Sequence, residues 1–330
     1  MGLGLLVIVH EAGHLLAARA SGMRVIRFSI GWGPALLTYQ SKKTGTIYQI
    51  AAIPFFAFVQ IAGMNPFEEI DPDDKSSYAN GSLFARIFAI LAGPLANYLF
   101  ASVLFFAVAA IGGKTVTTTK IDEVLDGPAK AAQLKSGDTI VAVGGKKVTD
   151  WETMRDQISK NPGKALAFEI ERGKERLSFT ITPKDEKGVG RIGVAPATTT
   201  VPVTAKEAGV LALTLPYEVV KNSMIGLGRI IIGKEKADLK GPVGIVKETS
   251  KAAQAGWLPL LSFLGILSAY LGGFNALPFP ALDGGRLAFL GYEAITRRKP
   301  NTRVEFMVHA FGFVMLLTLI AVVTFSDIRN

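Results

Sequence analysis

Residues 1–20 place three ionisable side chains inside a stretch that is otherwise apolar and long enough to form a membrane-spanning helix. His10, Glu11 and His14 stand between the apolar residues 5–9 and 15–18. A charged group at the centre of a bilayer costs at least ~2.5 kcal/mol, so such groups are rare and usually functional. Helix residues four apart share a face, so the two imidazoles can bind one ion. The pattern predicts a metal site in which Glu11 takes a proton from metal-bound water. A polar cluster that hydrogen bonds to other helices is the structural alternative.

The composition is that of a membrane protein. Of the 330 residues, 49% are hydrophobic and 19% are charged, whereas about 25% are charged in typical soluble domains. Besides residues 2–20, three apolar segments are long enough to cross a bilayer, namely residues 87–112, 258–282 and 304–325. The net charge of +9 is not gathered on one helix with interleaved aromatics, which favours an acidic membrane surface over nucleic acid. We expect an α-helical polytopic membrane protein with four transmembrane helices and membrane lipids as partners.

A third metal ligand has to come from far away in the sequence. The chain has no cysteine, so its ligands must be His, Asp or Glu. Catalytic zinc needs three protein ligands and an open position, but no acid occurs between His14 and Glu68. Asp283 is the best candidate, because it lies at the end of the third apolar segment, where prolines and glycines break the helix. A helix cap is the alternative role for Asp283, and Glu293 and His309 are rival ligands.

The remainder of the chain contains strands and one segment of soluble composition. Residues 35–40 and 46–59 are predicted strands around a turn. Between residues 114 and 196, short strands at 139–143, 167–171 and 177–182 surround a helix at 151–159, which indicates an inserted α/β domain. Residues 204–233 have an amphipathic helical pattern that suits a membrane surface. The predicted domains are residues 1–112 (first half of a membrane core, with a β region at 35–63), 115–199 (inserted domain), 203–236 (interfacial helix) and 237–330 (second half of the core).

The loop between the third and fourth apolar segments is basic. It contains Arg297, Arg298, Lys299 and Arg303, and short basic loops stay in the cytoplasm. Four crossings then place both termini and the inserted domain outside the cytoplasm.

The motifs resemble those of the site-2 proteases, the intramembrane zinc metalloproteases, in the bacterial form with one PDZ domain. His10-Glu11-x-x-His14 is similar to the motif of the first helix in that family. Residues 92–97 resemble the second-helix signature, and residues 275–285 resemble the long third-helix signature. Residues 241–245 and 325–329 fit as well, and residues 121–196 resemble the PDZ domain, so the resemblance covers nearly the whole chain.

The resemblance implies one Zn²⁺ per chain, held by His10, His14 and Asp283, with Glu11 as catalytic base. It implies a membrane-associated β-hairpin at residues 46–59 that pairs with an unwound substrate. The residues implied in substrate binding are Asn275, Pro278, Ile53 and Phe58; without the resemblance, a helix-breaking cap is an equal reading of Asn275. PDZ domains bind a peptide C-terminus by adding a strand to a sheet edge. The resemblance implies that this domain senses a new C-terminus or filters substrates by size, and a folded spacer is the structural alternative.

The implied activity is hydrolysis of peptide bonds in the transmembrane segments of single-pass membrane proteins. Such regulated intramembrane proteolysis would act on an anti-sigma factor or a remnant signal peptide. The implied location is the bacterial inner membrane, with the PDZ-like domain extracytoplasmic and the active site toward the cytoplasm. Two other functions remain open from the residues alone, a non-proteolytic metal-binding membrane scaffold and a metal or proton transporter.

Overall fold

The computed structural model describes residues 2–65, 67–69, 71–234 and 240–329, and the domain boundary predicted between residues 236 and 237 lies outside the described residues. Its helices are α1 (Gly2–Ala20), α2 (Leu83–Gly112), α3 (Pro128–Ala131), α4 (Trp151–Ser159), α5 (Ala205–Ile231), α6 (Pro242–Ala255), α7 (Trp257–Asn275), α8 (Asp283–Thr296) and α9 (Thr302–Arg329). Its strands are β1 (Val25–Gln40), β2 (Ile47–Ile61), β3 (Lys114–Val124), β4 (Thr139–Val143), β5 (Lys146–Lys147), β6 (Leu166–Arg172), β7 (Glu175–Ile181), β8 (Lys184–Glu186), β9 (Val189–Arg191) and β10 (Val194–Val201). The chain divides into two compact units, Met1–Ile111 with Thr204–Asn330, and Gly112–Val203.

Four described helices, α1, α2, α7 and α9, are long and apolar enough to cross a membrane. They coincide with the four predicted segments, with one correction. The third helix ends at Asn275, whereas the prediction carried it to residue 282. Pro278 and Pro280 follow soon after Asn275. Proline has no N–H for a helical hydrogen bond and clashes with the preceding turn.

Small residues allow α2 to lie against both α1 and α7. A Cβ atom at Gly13 of α1 would collide with the carbonyl of Ala92 and the side chain of Ala96. On the other side of α2, a Cβ at Gly272 of α7 would press on the carbonyl of Pro94. Glycine at such positions lets helix backbones approach closely where lipid gives no hydrophobic drive to association.

The β1–β2 sheet packs against α1. Val25 and Phe28 of β1 lie in one buried cluster with Leu15 of α1 and Ile61 of β2. The prediction that this strand region begins at residue 35 is therefore wrong, because the strand begins ten residues earlier, at Val25. Gly31 and Gly33 both have positive φ, which bends β1. Because the two glycines interrupt the regular strand pattern, the sequence did not show that the strand continues before them. The first half of β1 pairs with residues 47–50 of β2 on one side and with residues 57–61 of β2 on the other. Residues 57–61 therefore form an edge of the sheet.

The Gly112–Val203 unit is built on an antiparallel sheet. Its strand order is β10-β3-β4-β6-β7, with β5 paired to β4 and a separate β8–β9 pair. The predicted helix at 151–159 and the predicted strand at 139–143 are confirmed, and β6 and β7 match the other two predicted strands within about two residues. Phe168, Ile140 and Met154 are completely buried in the core of this unit.

Candidate metal centre

Helix α1 presents two imidazoles on one buried face. His10 and His14 are each 6% exposed, and their Nε2 atoms are 3.2 Å apart. The Nδ1 atom of His14 lies 2.8 Å from the carbonyl oxygen of Ala89. A carbonyl accepts only, so His14 carries its proton on Nδ1 and leaves a lone pair on Nε2.

Asp283 reaches the same point from the first residue of α8. Its Oδ2 atom is 2.9 Å from His10 Nε2 and 3.4 Å from His14 Nε2. Asp283 therefore begins a new helix rather than ending the third apolar one, which corrects the predicted position. Leu282 is the N-cap, and no side-chain capping bond is formed, which leaves the capping role for Asp283 without support.

The break between α7 and α8 is tightly folded. Ala281 has a φ of 75°, a left-handed conformation that is uncommon for a residue with a Cβ atom. Gly284 packs directly on the carbonyl of Leu277, where any side chain would clash. This compact turn brings a carboxylate back to the two imidazoles of α1.

The Nε2 atoms of His10 and His14 and the Oδ2 atom of Asp283 have the spacing expected of three ligand atoms around one metal ion. Asp283 Oδ2 is buried, and among the described residues no group other than the two imidazoles lies against it as a partner. Ligand atoms of one tetrahedral zinc ion, at 2.0–2.1 Å, are roughly 3.3 Å apart. The observed separations of 3.2, 2.9 and 3.4 Å match that spacing. His10, His14 and Asp283 could thus hold one divalent cation.

Glu11 stands beside this triad and is held by the sheet. Its Oε2 atom accepts a hydrogen bond of 2.9 Å from the backbone N–H of Val59 in β2. Glu11 is not a member of the converging group. Its carboxylate is therefore not used as a ligand atom in that group. Sequence reasoning did not find the contact with Val59, since nothing in residues 46–59 marks which backbone amide faces α1.

Helix α2 supplies the surroundings of both imidazoles. Ala89, Gly93 and Asn97 recur at intervals of four and so share one face of the helix. A Cβ at Gly93 would collide with the rings of His14 and His10, and the Asn97 amide lies 3.2 Å from His10 Nδ1. The family-like signature at residues 92–97 pointed to this helix, but not to these contacts.

The two rival ligands are engaged elsewhere. Glu293 accepts hydrogen bonds from both terminal nitrogens of Arg86, and the paired side chains are 10% and 12% exposed. His309 accepts a 3.1 Å hydrogen bond at Nδ1 from the Ala281 backbone. Neither belongs to the converging group.

The predicted substrate-binding residues lie on β2, at the end of α7 and in the break before α8. Asn275 is the last residue of α7, and Pro278 is exposed in the break before Asp283. Ile53 of β2 is 40% exposed. Phe58 of β2 lines a cavity of about 720 Å³. The other walls of this cavity include Val59, Ala281, Arg286 and His309.

A His-His-Asp group that could hold a metal, with both histidines on a helix of membrane length, is typical of one class of protein, the membrane metalloproteases. The chain belongs to Peptidase family M50, the site-2 proteases, whose family model matches residues 1–319. It is a metalloprotease, and its family is membrane-integral.

Relatives match over the full length. "Zinc metalloprotease RasP" of Geobacillus kaustophilus is 33% identical, with 99% of this chain and 96% of the relative covered. "Regulator of sigma-W protease RasP" of Bacillus subtilis is 30% identical, again with 99% and 96% covered. A solved PDZ domain of an SdrC-like protein from Listeria monocytogenes matches 25% of this chain and 86% of that domain, at 24% identity and a TM-score of 0.21.

Proposed function

We propose that the chain is an intramembrane zinc endopeptidase that cuts transmembrane segments of single-pass membrane proteins. One observation carries the proposal: Asp283 Oδ2 lies 2.9 and 3.4 Å from the Nε2 atoms of two histidines on a helix of membrane length. The relatives' names, zinc metalloprotease and sigma-W regulator protease, support both the metal and the reaction.

In the proposed mechanism, His10, His14 and Asp283 would hold one zinc ion, and Glu11 moves the proton. A zinc ion held there would supply Lewis-acid chemistry, which polarises a carbonyl and lowers the pKa of a water to about 7. Glu11 takes a proton from that water as the water oxygen attacks the peptide carbonyl carbon. Glu11 then returns the proton to the amine nitrogen that leaves as the C–N bond breaks. The N–H of Val59 keeps the carboxylate in place between these two transfers.

The substrate must be extended before it is cut, because a helical peptide bond is shielded and hydrogen-bonded within its own helix. The outer side of β2 offers a place for an extended chain, and the cavity of about 720 Å³ runs along Phe58 and Val59. We assign Ile53 and Phe58 to one side of the bound strand. Asn275 and Pro278, in the break that leads to Asp283, contact it from the other side.

The substrates are single-pass proteins that other proteases have already trimmed. An anti-sigma factor is favoured by the name of the Bacillus subtilis relative, a regulator of sigma-W protease. A remnant signal peptide has the same chemistry, a single apolar helix with a short flank, and is the second substrate class.

The basic loop sets the proposed orientation. Arg297, Arg298, Lys299 and Arg303 lie between α8 and the start of α9, and such short basic segments stay in the cytoplasm. The Gly112–Val203 unit is then extracytoplasmic, in the bacterial inner membrane, and the metal centre opens toward the cytoplasm.

In this proposal, the Gly112–Val203 unit is a PDZ-like domain that binds peptide C-termini. β10 is at one end of its strand order, so one edge is free for an added strand within the described residues. A cavity of about 680 Å³ beside β10 is lined by Trp151 and Met154 of α4 and by the backbone turn at Ile192–Gly193. Apolar side chains next to backbone amides suit a C-terminal residue and its carboxylate.

The test compares wild type with Glu11→Gln, both purified as the full chain in detergent. Both proteins should hold one zinc, while only wild type should cleave a model single-pass substrate. Equal cleavage by the two forms would remove Glu11 as the base. Zinc flux into proteoliposomes that survives Glu11→Gln would favour the transporter alternative, and zinc binding with no cleavage by either form would favour the scaffold.

A further inference from the structure

The amide of Asn97 contacts the imidazole of His10. A backbone carbonyl fixes which nitrogen of His14 carries the proton, but no backbone group does so for His10 among the described residues. Its side chain is 0% exposed, and its Nδ2 atom lies 3.2 Å from His10 Nδ1. Its Oδ1 atom has no hydrogen-bond partner among the described residues. The oxygen and nitrogen of an amide are distinguished by their hydrogen bonds rather than by their shape, so either atom can face the ring.

The two orientations have opposite effects on metal binding. If Nδ2 faces His10, it donates to a lone pair on Nδ1, which moves the ring proton to Nε2, the atom that points at Asp283. If Oδ1 faces His10, it accepts a proton from Nδ1, and Nε2 is left with a lone pair. Only the second arrangement makes His10 a metal ligand.

His14 shows the pattern that a metal-binding pair needs. Its Nδ1 donates to the carbonyl of Ala89, two helical turns before Asn97 on the same face of α2. An acceptor at residue 97 would give both rings the same tautomer, with both Nε2 atoms free toward Asp283. Outer partners of this kind raise ligand basicity and fix ring orientation.

We propose that Asn97 is a positioning residue for the metal, with its amide oxygen accepting the Nδ1 proton of His10. The inference rests on the metal site of the proposed function. Asn97 is 0% exposed, so its contact with His10 is shielded from bulk solvent.

The experiment measures zinc affinity of the full chain in detergent by competition with a chromophoric chelator. Three proteins are compared: wild type, Asn97→Asp, which keeps an acceptor oxygen, and Asn97→Leu, which keeps the shape without any polar atom. Loss of an outer partner typically lowers metal affinity roughly 10- to 100-fold, and this loss is expected for Asn97→Leu. Asn97→Asp should bind zinc at least as tightly as wild type. The cobalt-substituted Asn97→Leu protein should also show a shifted visible absorption spectrum, since the orientation of one ligand ring changes.

Ser268→Ala is the matched control, because Ser268 Oγ donates to the backbone oxygen of Asn97 at 2.8 Å without touching either imidazole. It should keep wild-type affinity and spectrum. Wild-type affinity in Asn97→Leu, or equal weakening in the Asp and Leu variants, would overturn the role of Asn97 while leaving the proposed function intact. A wild-type protein that holds no zinc would instead overturn the proposed function, and the role of Asn97 with it.

Discussion

At the scale of single residues, the two imidazoles of the candidate metal centre have room only if residue 93 is a glycine. A methyl group there would occupy the space of the His14 ring and press on His10. We expect Gly93→Ala to lose most of its zinc, because neither ring can keep its place, and overpacking of this kind typically destabilises by about 1–3 kcal/mol. Zinc per chain after gel filtration, measured by atomic emission, checks the prediction.

The matched control for this change is Gly209→Ala in α5, where an added Cβ would meet nothing within 4 Å. Alanine in a helix interior is more favourable than glycine by roughly 0.5–1 kcal/mol, so this variant should keep its zinc and its stability. Full zinc content in Gly93→Ala would contradict the close packing of α2 on the two imidazoles.

The convergence of the three candidate ligands could be predicted from the sequence for a physical reason that does not extend to their hydrogen-bond partners. His10 and His14 are recognised by spacing alone, and Asp283 is reached because few other acids lie in an apolar break. Asn97 and Val59 carry no such mark. An asparagine in an apolar helix has many possible neighbours, and a backbone N–H looks the same at every residue, so only the packing of α2 and β2 on α1 reveals their contacts.

At the scale of secondary structure elements, β2 contacts the proposed catalytic base, Glu11, through one backbone N–H. Val59 donates its N–H to Glu11, so this N–H is directed away from the β1 ladder, where proline is tolerated. We expect Val59→Pro to lower cleavage about 10-fold or more, as one hydrogen bond to a charged group is worth roughly 1.5–3 kcal/mol. Zinc content should not change, since Glu11 is outside the ligand group.

Val59→Ala is the control for that change, because it removes the side chain and keeps the N–H. It should cleave at nearly the wild-type rate in the same detergent assay. If both variants lose activity equally, the side chain of Val59 rather than its amide matters, and the proposed hold on Glu11 is wrong.

Helix α6 begins at a residue that cannot cap it, and α9 supplies the cap. Gly241 is the N-cap position and has no side chain. Instead, the carboxylate of Asp327 accepts hydrogen bonds from the N–H groups of Gly241 (3.2 Å) and Gly244 (2.8 Å). We expect Asp327→Ala to destabilise the first turn of α6 by about 1 kcal/mol, seen as faster hydrogen exchange of its amides.

Glu248→Ala serves as the comparison in the same helix. Glu248 pairs with Lys240 and Lys251 at the surface, and exposed ion pairs are worth 0–1 kcal/mol. Hydrogen exchange at the start of α6 should therefore remain slow in this variant. Equal exchange in Asp327→Ala and wild type would show that α6 holds its first turn without α9.

Element boundaries were predicted best where hydrophobic pattern and breakers agree. The predicted segment at residues 2–20 matches α1, and the predicted helix at 151–159 matches α4, which starts after the N-cap Asp150. The errors lie at β1 and α7. In β1 two glycines interrupt a buried strand, and beyond α7 an apolar composition continues past Asn275 although two prolines already prevent a helix.

At the scale of the whole molecule, the division into two units follows from composition. Residues between 114 and 196 alternate polar and apolar side chains, and the structure separates Gly112–Val203 as a compact unit with its own core. The metal centre, by contrast, needs residues from both ends of the chain, since Asp283 meets two residues of α1. Its assembly could be inferred from chemistry but not from local pattern.

The Gly112–Val203 unit should therefore fold when expressed alone, with a stability that depends on one buried acid. The Asp138 side chain is 1% exposed and accepts hydrogen bonds from Arg172 at 2.7 and 2.8 Å and from the Lys135 backbone at 2.8 Å. Burial raises the pKa of Asp138, but these hydrogen bonds outweigh burial and hold that pKa below its usual value. The ionised form is thus favoured in the folded state.

A lowered pKa in the folded state means that Asp138 stabilises the unit fully at pH values above the ordinary aspartate pKa of about 3.9. This contribution is lost as the pH falls through the lower pKa of the folded state.

Urea unfolding, followed by the fluorescence of Trp151, measures the free energy of unfolding of the unit and of its Asp138→Asn variant. The variant should be less stable by about 2–4 kcal/mol at pH 7, with nearly the same difference at pH 5 and a smaller one at pH 3. Asp156→Asn is the control, because the Asp156 side chain pairs with Lys160 at the surface, and the free energy of unfolding should change little at any pH. A difference for Asp138→Asn that stays constant down to pH 3 would mean that its hydrogen bonds do not depend on its charge, and the pH dependence argued from Arg172 would be wrong.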